Sequence, residues 1–211
     1  MIQMKLDLKS MTRPLRERLQ TETNPVLRRN IATVIRHIEG EIANNVDLTM
    51  STMVPEPVIR SFFSSLVGRF EPPPAGQSSV SRKHESYMAI EGGAAVRAMY
   101  DMVCDRRLVW THFDVDTLVV DTAFIVQAGL FHCPTTGAGL KQLGRTVDDE
   151  NALYLGIGRM LVIFPFDVKS GLLLGEDIYV DPSTFDGAET RKIAPDDYLP
   201  GYDKVVDLPP R

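Results

Sequence analysis

Cysteine, tryptophan, long apolar runs and excess positive charge are all scarce in this chain of 211 residues. The only cysteines are Cys104 and Cys133, far apart and in no C-x-x-C pair. That spacing supports neither a disulfide framework nor a zinc site, and leaves two buried or half-buried thiols in a reducing compartment as the simpler reading, so a cytoplasmic protein is expected. No apolar run approaches the length that spans a bilayer. The opening MIQMKLDLKSMTRPLRERLQ lacks the apolar centre of a secretory leader. Lys and Arg number 23 against 28 Asp and Glu, a formal net charge of −5. Neither a nucleic-acid backbone nor an anionic membrane finds counter-charge here, so neither is expected as a partner.

What is present reads as one globular domain with appendages: 44% hydrophobic and 24% charged residues are ordinary for a packed soluble core. Asn24-Pro25 has the form of a helix start, and Ile31, Val34, Ile35, Ile38 and Ile42 recur at steps of three and four. This predicts an amphipathic helix ending near Asn44-Asn45. A helical arm, interrupted near Pro14, is expected before it. Asp47 is expected to cap a short helix over LTMSTMV, stopped by Pro55-Glu56-Pro57. VIRSFF (58–63) reads as a strand and GRFEPPPAGQSS as a long loop. Gly92-Gly93 then opens a second amphipathic helix, with Val96, Met99, Tyr100 and Val103 on one side.

Beyond that helix the period changes to that of strands. VWTHFDVD (109–116) alternates, and LVVDTAFIVQAGLFH (118–132) reads as one long strand. PTTGAGLKQLGRTVDDEN reads as a loop. ALYLGIGRMLVIFPF and LLLGEDIYVD form a hairpin joined by DVKSG, and the chain from Pro182 onward is expected to lie extended. Helices first and strands later argue for an α+β protein with an antiparallel sheet packed on helices.

Three stretches carry a resemblance: IANNVDLTMSTMV, the helix GGAAVRAMY from Gly92 to Tyr100, and LLLGEDIYVD. In this order and spacing, over about residues 26–181, the chain resembles the nuclear-transport-factor-2-like superfamily and within it the SnoaL-like proteins. The resemblance implies a cystatin-like cone, a strongly bent antiparallel sheet packed on N-terminal helices. It divides the chain into an arm (1–22), a cone domain (23–181) and a tail (182–211). It also implies an apolar pocket in the cone and pairing of chains through the outer sheet face. Activities in the superfamily include polyketide cyclisation, steroid isomerisation, dehydration and epoxide hydrolysis, and other members only bind ligands or proteins. Steroid isomerases place their base where Ser61 stands and their second acid near Val162. Epoxide hydrolases place an acid near Ile178 and an Arg-x-Asp pair in QAGLF, which has neither residue. By this alignment both sets are absent.

Other polar residues are left as candidates. If Phe166 lies opposite Leu172, Arg159 sits across from Tyr179, and Asp177 and Asp181 share that face. The group is either an Arg-steadied acid beside a tyrosine or a cross-strand ion pair on the outer face or at a dimer interface; the resemblance puts Arg159 and Tyr179 outside, and a β-bulge would reverse the parity. His112, near Trp110, is either a pocket base or a hydrogen-bonded structural histidine. Asp121, between valines and Ala123, must be solvated, paired or functional. His112 and His132 lie on separate strands with no carboxylate joining them at a ligand-like spacing, so no metal is expected. HESYM (84–88) is a lid or a polar linker, and the glycines of GIG (156–158) relieve crowding at a bend.

Two functions stay open. One is cofactor-independent acid–base chemistry (cyclisation, isomerisation or dehydration) on a hydrophobic small molecule. Phe62, Trp110, Phe124, Phe164, Tyr179 and Arg159 would contact the substrate, and His112, Asp181 or Asp121 would move the proton. The other is a non-catalytic ligand-binding or assembly module. Either is expected to form a homodimer or small homo-oligomer, because the hairpin is apolar on both faces: Met160, Val162 and Phe164 on one, Ile157, Leu161 and Ile163 on the other.

Overall fold

A computed structural model of the protein describes residues 8–62, 82–83, 88–105 and 112–193. After a 3-10 turn at Leu8–Met11 come α1 (Arg13–Thr21), α2 (Pro25–Ile42) and α3 (Val46–Met50). Then follow β1 (Met53–Ser61), β2 (Arg82–Lys83), β3 (Met88–Glu91), α4 (Gly93–Asp105), β4 (His112–Val120), β5 (Phe124–Thr136), α5 (Gly137–Gln142), β6 (Leu153–Pro165), β7 (Leu173–Val180) and β8 (Lys192–Ile193). One sheet runs β2-β3-β1-β7-β6-β5-β4, with β8 also on β6. Its pairs are antiparallel apart from β1 and β7, which run parallel. The antiparallel sheet expected from the sequence therefore holds one parallel junction.

The start of α2 follows the sequence closely. Asn24 Oδ1 accepts from the N–H groups of Val26 and Leu27, and Pro25 occupies the first turn. The helix lays Ile31, Val34, Ile35 and Ile38, all buried, against the concave face of the sheet, which supplies Ile125, Phe131, Met160, Val162, Phe164 and Val180. Each such side chain contributes about 1.5–3 kcal/mol on burial. The short helix is capped by Asn45, which accepts from Leu48 N–H; Asp47 instead pairs with Arg97 of α4 at 2.7 Å. The prolines 55 and 57 do not end a helix but lie inside β1. They sit where the ladder to β7 shifts register between Met53 and Val58, so no regular ladder bond is lost.

The long strand read over 118–132 is two strands, folded at a tight turn of Asp121, Thr122 and Ala123. The segment read as a loop after it contains the end of β5 and all of α5. The chain beyond Pro182 is not extended as far as Ile193. It makes 3-10 turns at Pro182–Phe185 and Ala188–Thr190 and then β8, burying Thr184, Phe185 and Ala188. The glycines of β6 admit this segment. A Cβ at Gly158 would stand 2.1 Å from Thr184 Oγ1, and one at Gly156 would stand 2.6 Å from the Phe185 ring.

In the β6–β7 hairpin, Phe166 bridges Leu173 and Ile163 pairs with Asp177. That is three steps along β6 against four along β7, a one-residue bulge around Gly175, whose φ is 137°. Past it, Leu161 faces Tyr179 and Met160 faces Val180. Arg159 thus lies across from Asp181, whose N–H it binds through its carbonyl at 2.8 Å, and not across from Tyr179. Inward and outward positions keep the expected assignment: Met160, Val162 and Phe164 are buried, while Arg159 and Tyr179 face out.

Candidate functional site

His37 stands three residues after Val34 and one before Ile38, so it lies on the buried stripe of α2, with Glu41 one turn further on. Opposite them, the bulge at Gly175 directs Glu176 inward from β7. Tyr100 arrives from α4, and Thr52 from the junction of α3 and β1. His37 Nε2 lies 2.5 Å from Glu176 Oε1. The Tyr100 hydroxyl donates to the same oxygen at 3.1 Å and lies 3.2 Å from His37 Nε2. Glu41 Oε1 is 3.5 Å from that nitrogen. Thr52 donates its hydroxyl proton to Thr49 O at 2.6 Å, so it can only accept from His37 Nδ1, 2.8 Å away. With one ring nitrogen donating to Thr52 and the other to Glu176, His37 is an imidazolium. His37, Thr52, Tyr100 and Glu176 are buried, and Phe164 meets the His37 ring edge-on at 6.2 Å.

The electrostatics agree with that assignment. Burial pulls the His37 pKa down, but Glu41 and Glu176 outweigh it and raise the value to about 10. Burial, then the charge of Glu176, lifts Glu41 above the usual carboxylate range against the pull of His37. Burial and the same two carboxylates push the Tyr100 hydroxyl well above its ordinary value. The cluster therefore holds a neutral phenol, a cationic imidazole and two carboxyl groups, of which Glu41 is lifted by burial. Such a set can take a proton from carbon and place a hydrogen-bond donor on a developing oxyanion. Ligand atoms of His37, Glu41 and Glu176 lie within 4.8 Å of one another. A doubly protonated imidazole has no lone pair for a metal, so hydrogen bonding accounts for this arrangement.

Among the sequence-predicted residues, Phe164 stands beside this cluster. Trp110 lies outside the described residues, as do residues 84–87 of HESYM. Phe62, Arg159, Tyr179 and Asp181 do come together, but on the convex side. The rings of Phe62 and Tyr179 stack at 4.2 Å and 5°. With Ala128 and Leu161 the four line a shallow apolar groove of about 430 Å³. Arg159 binds Asp116 through both terminal nitrogens, and Asp177 pairs with Arg60 at 2.9 Å. Asp181 accepts from the Ser183 hydroxyl at 2.7 Å and its N–H at 2.8 Å, which holds the carboxyl below its usual range and ties it to the turn after β7.

Asp121 is not in mid-strand. It sits exposed in the β4–β5 turn and accepts from Ala123 N–H at 3.0 Å, so solvent and a turn explain its charge. Phe124, next in the chain, is 38% exposed on the convex side. His112 is on that side too. It is the cross-strand partner of His132, and its Nε2 lies 2.9 Å from Asp114 Oδ1. Ser61 and Val162 are buried facing the concavity, and Ile178 is the strand partner of both.

An α+β body with helices packed on one face of a mixed, largely antiparallel sheet defines the cystatin-like class of fold. Within that class the fold is the SnoaL-like one. The chain is similar to three crystal structures of candidate SnoaL-like polyketide cyclases. The protein from Jannaschia sp. CCS1 has 14% identity and a TM-score of 0.51 over 81% of this chain and 97% of that one. The protein from Shewanella denitrificans OS-217 has 11% identity and a TM-score of 0.52 over 79% and 98%. The protein from Shewanella putrefaciens CN-32 has 8% identity and a TM-score of 0.53 over 90% and 97%. At such identities the likeness concerns the fold. No family model and no curated protein matches the sequence.

Proposed function

We propose that this chain is a SnoaL-like small-molecule protein that carries out acid–base chemistry without a cofactor on a hydrophobic substrate: a cyclisation, isomerisation or dehydration. In this reading His37, Glu41, Tyr100 and Glu176 carry the proton, in place of His112, Asp181 and Asp121. The observation behind it is the convergence of these four titratable side chains from two helices and a strand onto one buried point of the concave side. A carboxylate of the Glu41–Glu176 pair accepts a proton from carbon α to a carbonyl, the bonding electrons pass to the carbonyl oxygen, and Tyr100 hydrogen-bonds that oxygen. His37 holds the Glu176 side chain in place through the hydrogen bond from Nε2.

A second copy of the chain is the proposed partner, seated on the convex face, where Leu130 and Tyr179 are 37% and 40% exposed beside the apolar groove. A cytoplasmic location, without nucleic-acid or membrane partners, goes with this reading. Among the described residues no helix is long and apolar enough to cross a membrane.

The test is hydrogen–deuterium exchange α to the carbonyl of a bicyclic aromatic ketone, followed by NMR in D2O. The native chain is expected to exceed the buffer rate, and Glu176→Gln or Tyr100→Phe to lose about 100-fold or more of that excess. Exchange no faster than buffer with the native chain overturns the catalytic reading. One observation favours a second reading, the non-catalytic binding or assembly module: Phe113, Phe131, Phe164 and Phe166 are all buried in the body of the cone. That reading predicts buffer-rate exchange together with a stable dimer in sedimentation.

A further inference from the structure

The convex face carries a second group of ligand-type side chains, unconnected with the concave cluster. His112 and His132 are direct partners across the β4–β5 ladder, and Asp114 stands two residues along from His112 on the same face. The sequence places His132 far from the other two; the antiparallel register brings it beside them. One ligand atom from each lies within 4.8 Å of the other two. His112 Nε2 is already 2.9 Å from Asp114 Oδ1, and the two imidazoles meet at 5.1 Å between centroids.

From this arrangement we infer that His112, Asp114 and His132 form a binding site for a divalent transition metal of the zinc type. Two imidazoles and a carboxylate suit a borderline ion and not magnesium or calcium, which take oxygen donors. Metal–ligand bonds of about 2.0–2.1 Å at tetrahedral angles separate ligand atoms by roughly 3.3 Å, so small side-chain adjustments close the site.

Two further observations point to a ligand. Nδ1 of His132 is buried and meets no hydrogen-bond partner among the described residues, in a side chain only 6% exposed. An orphaned buried nitrogen of this kind is costly unless something binds it. In addition, Nδ1 of His112 lies 3.5 Å from Ser10 Oγ. That contact steadies the ring with Nε2 toward Asp114, as the outer hydrogen bond of a metal-bound histidine does. Ser10, 4% exposed, belongs to the turn before α1 and also accepts from Phe113 N–H at 3.3 Å. The site thereby joins the first turn of the described chain to the edge strand β4. Asp114 is the solvent-facing ligand, with its side chain 57% exposed, so the remaining coordination position opens outward.

The test is calorimetric titration of the full chain with ZnCl2, with Co²⁺ as the spectroscopic probe. Saturable binding of one Zn²⁺ per chain, and visible d–d absorption typical of four or five ligands with Co²⁺, are expected. Asp114→Asn and Ser10→Ala are each expected to weaken binding by about tenfold or more, and the double variant His112→Asn with His132→Asn to abolish it. The variant Arg159→Ala, on the same face but outside the three ligands, should leave the affinity unchanged. Absence of stoichiometric binding by the native chain, binding that survives the double histidine variant, or loss of binding in Arg159→Ala would each overturn the assignment.

Discussion

Gly175 and Glu176 are neighbours whose conformations depend on each other: the glycine takes φ 137° so that the glutamate can meet His37. Leu173 is fully buried and Leu174 is 44% exposed, so an unbroken strand would turn Glu176 outward with Leu174. The extra residue at Gly175 resets the alternation and sends Glu176 into the concavity. The same glycine lies against β1, where a Cβ would stand 1.7 Å from Val58 O. Gly175→Ala therefore combines strain with a backbone clash. A loss of about 3 kcal/mol or more in urea unfolding is expected. Gly144→Ala is the control, since φ there is +77° but nothing lies within 4 Å of the added carbon; its cost is expected near 1 kcal/mol.

Glu176→Gln removes the nearer carboxylate of a buried imidazolium and leaves only Glu41, 3.5 Å from Nε2, to face it. Breaking one side of such a pair costs about 3–5 kcal/mol, which the urea midpoint at pH 7 will register. Tyr100→Phe removes only one donor to Glu176 and is expected to cost about 1–3 kcal/mol.

The pH dependence follows from the direction of the shifts. The His37 pKa is raised from 6.5 to about 10 in the folded chain. Its stabilising contribution is complete below 6.5, declines as pH rises, and is gone above about 10. Glu41, also raised, acts in the same sense above the ordinary carboxylate range. Unfolding free energy is expected to fall between pH 6.5 and 10, and to fall less in His37→Asn. By NMR, the His37 ring protons are expected not to titrate between pH 5 and 8.

On the convex face, Arg159→Ala removes an exposed pair with Asp116 and is expected to leave the melting temperature unchanged within error. Gly158→Ala is expected to act very differently, because its new carbon would displace Thr184. Faster proteolysis within residues 182–193 is the measurement that checks it.

The fold was largely legible because its burial follows simple periods. The five isoleucine and valine positions of α2 mark one helical stripe, and the alternation of Met160, Val162 and Phe164 marks the inner face of β6. Failures came where a local signal pointed the wrong way. Pro55 and Pro57 look like breakers, yet they fall at a register shift that tolerates them. Asp121-Thr122-Ala123 contains no glycine or proline, so its turn was hidden inside a β-branched run. The concave cluster was missed for a related reason. His37 and Glu41 are spaced one turn apart on an apolar stripe, a readable sign of a buried polar pair, but Glu176 becomes their partner only through a bulge that strict alternation does not anticipate. The period of its helix puts Tyr100 on the packed side, and its hydroxyl finds a buried acceptor in Glu176. The His112–His132 pairing depends on the β4–β5 register, which a sequence does not state.

The parallel contact between β1 and β7 has a consequence for how the chain assembles. The strand that joins the two halves of the sheet is the seventh of eight in sequence, and its contacts reach back across more than half the described polypeptide. Closing so large a loop is slow, and a nascent chain still short of Leu173 has β1 and β6 facing a gap that nothing else fills. Both rows of unpaired amides stay open until Leu173–Val180 has been made, so attachment of the ribosome-bound chain to other strands is the hazard this topology creates.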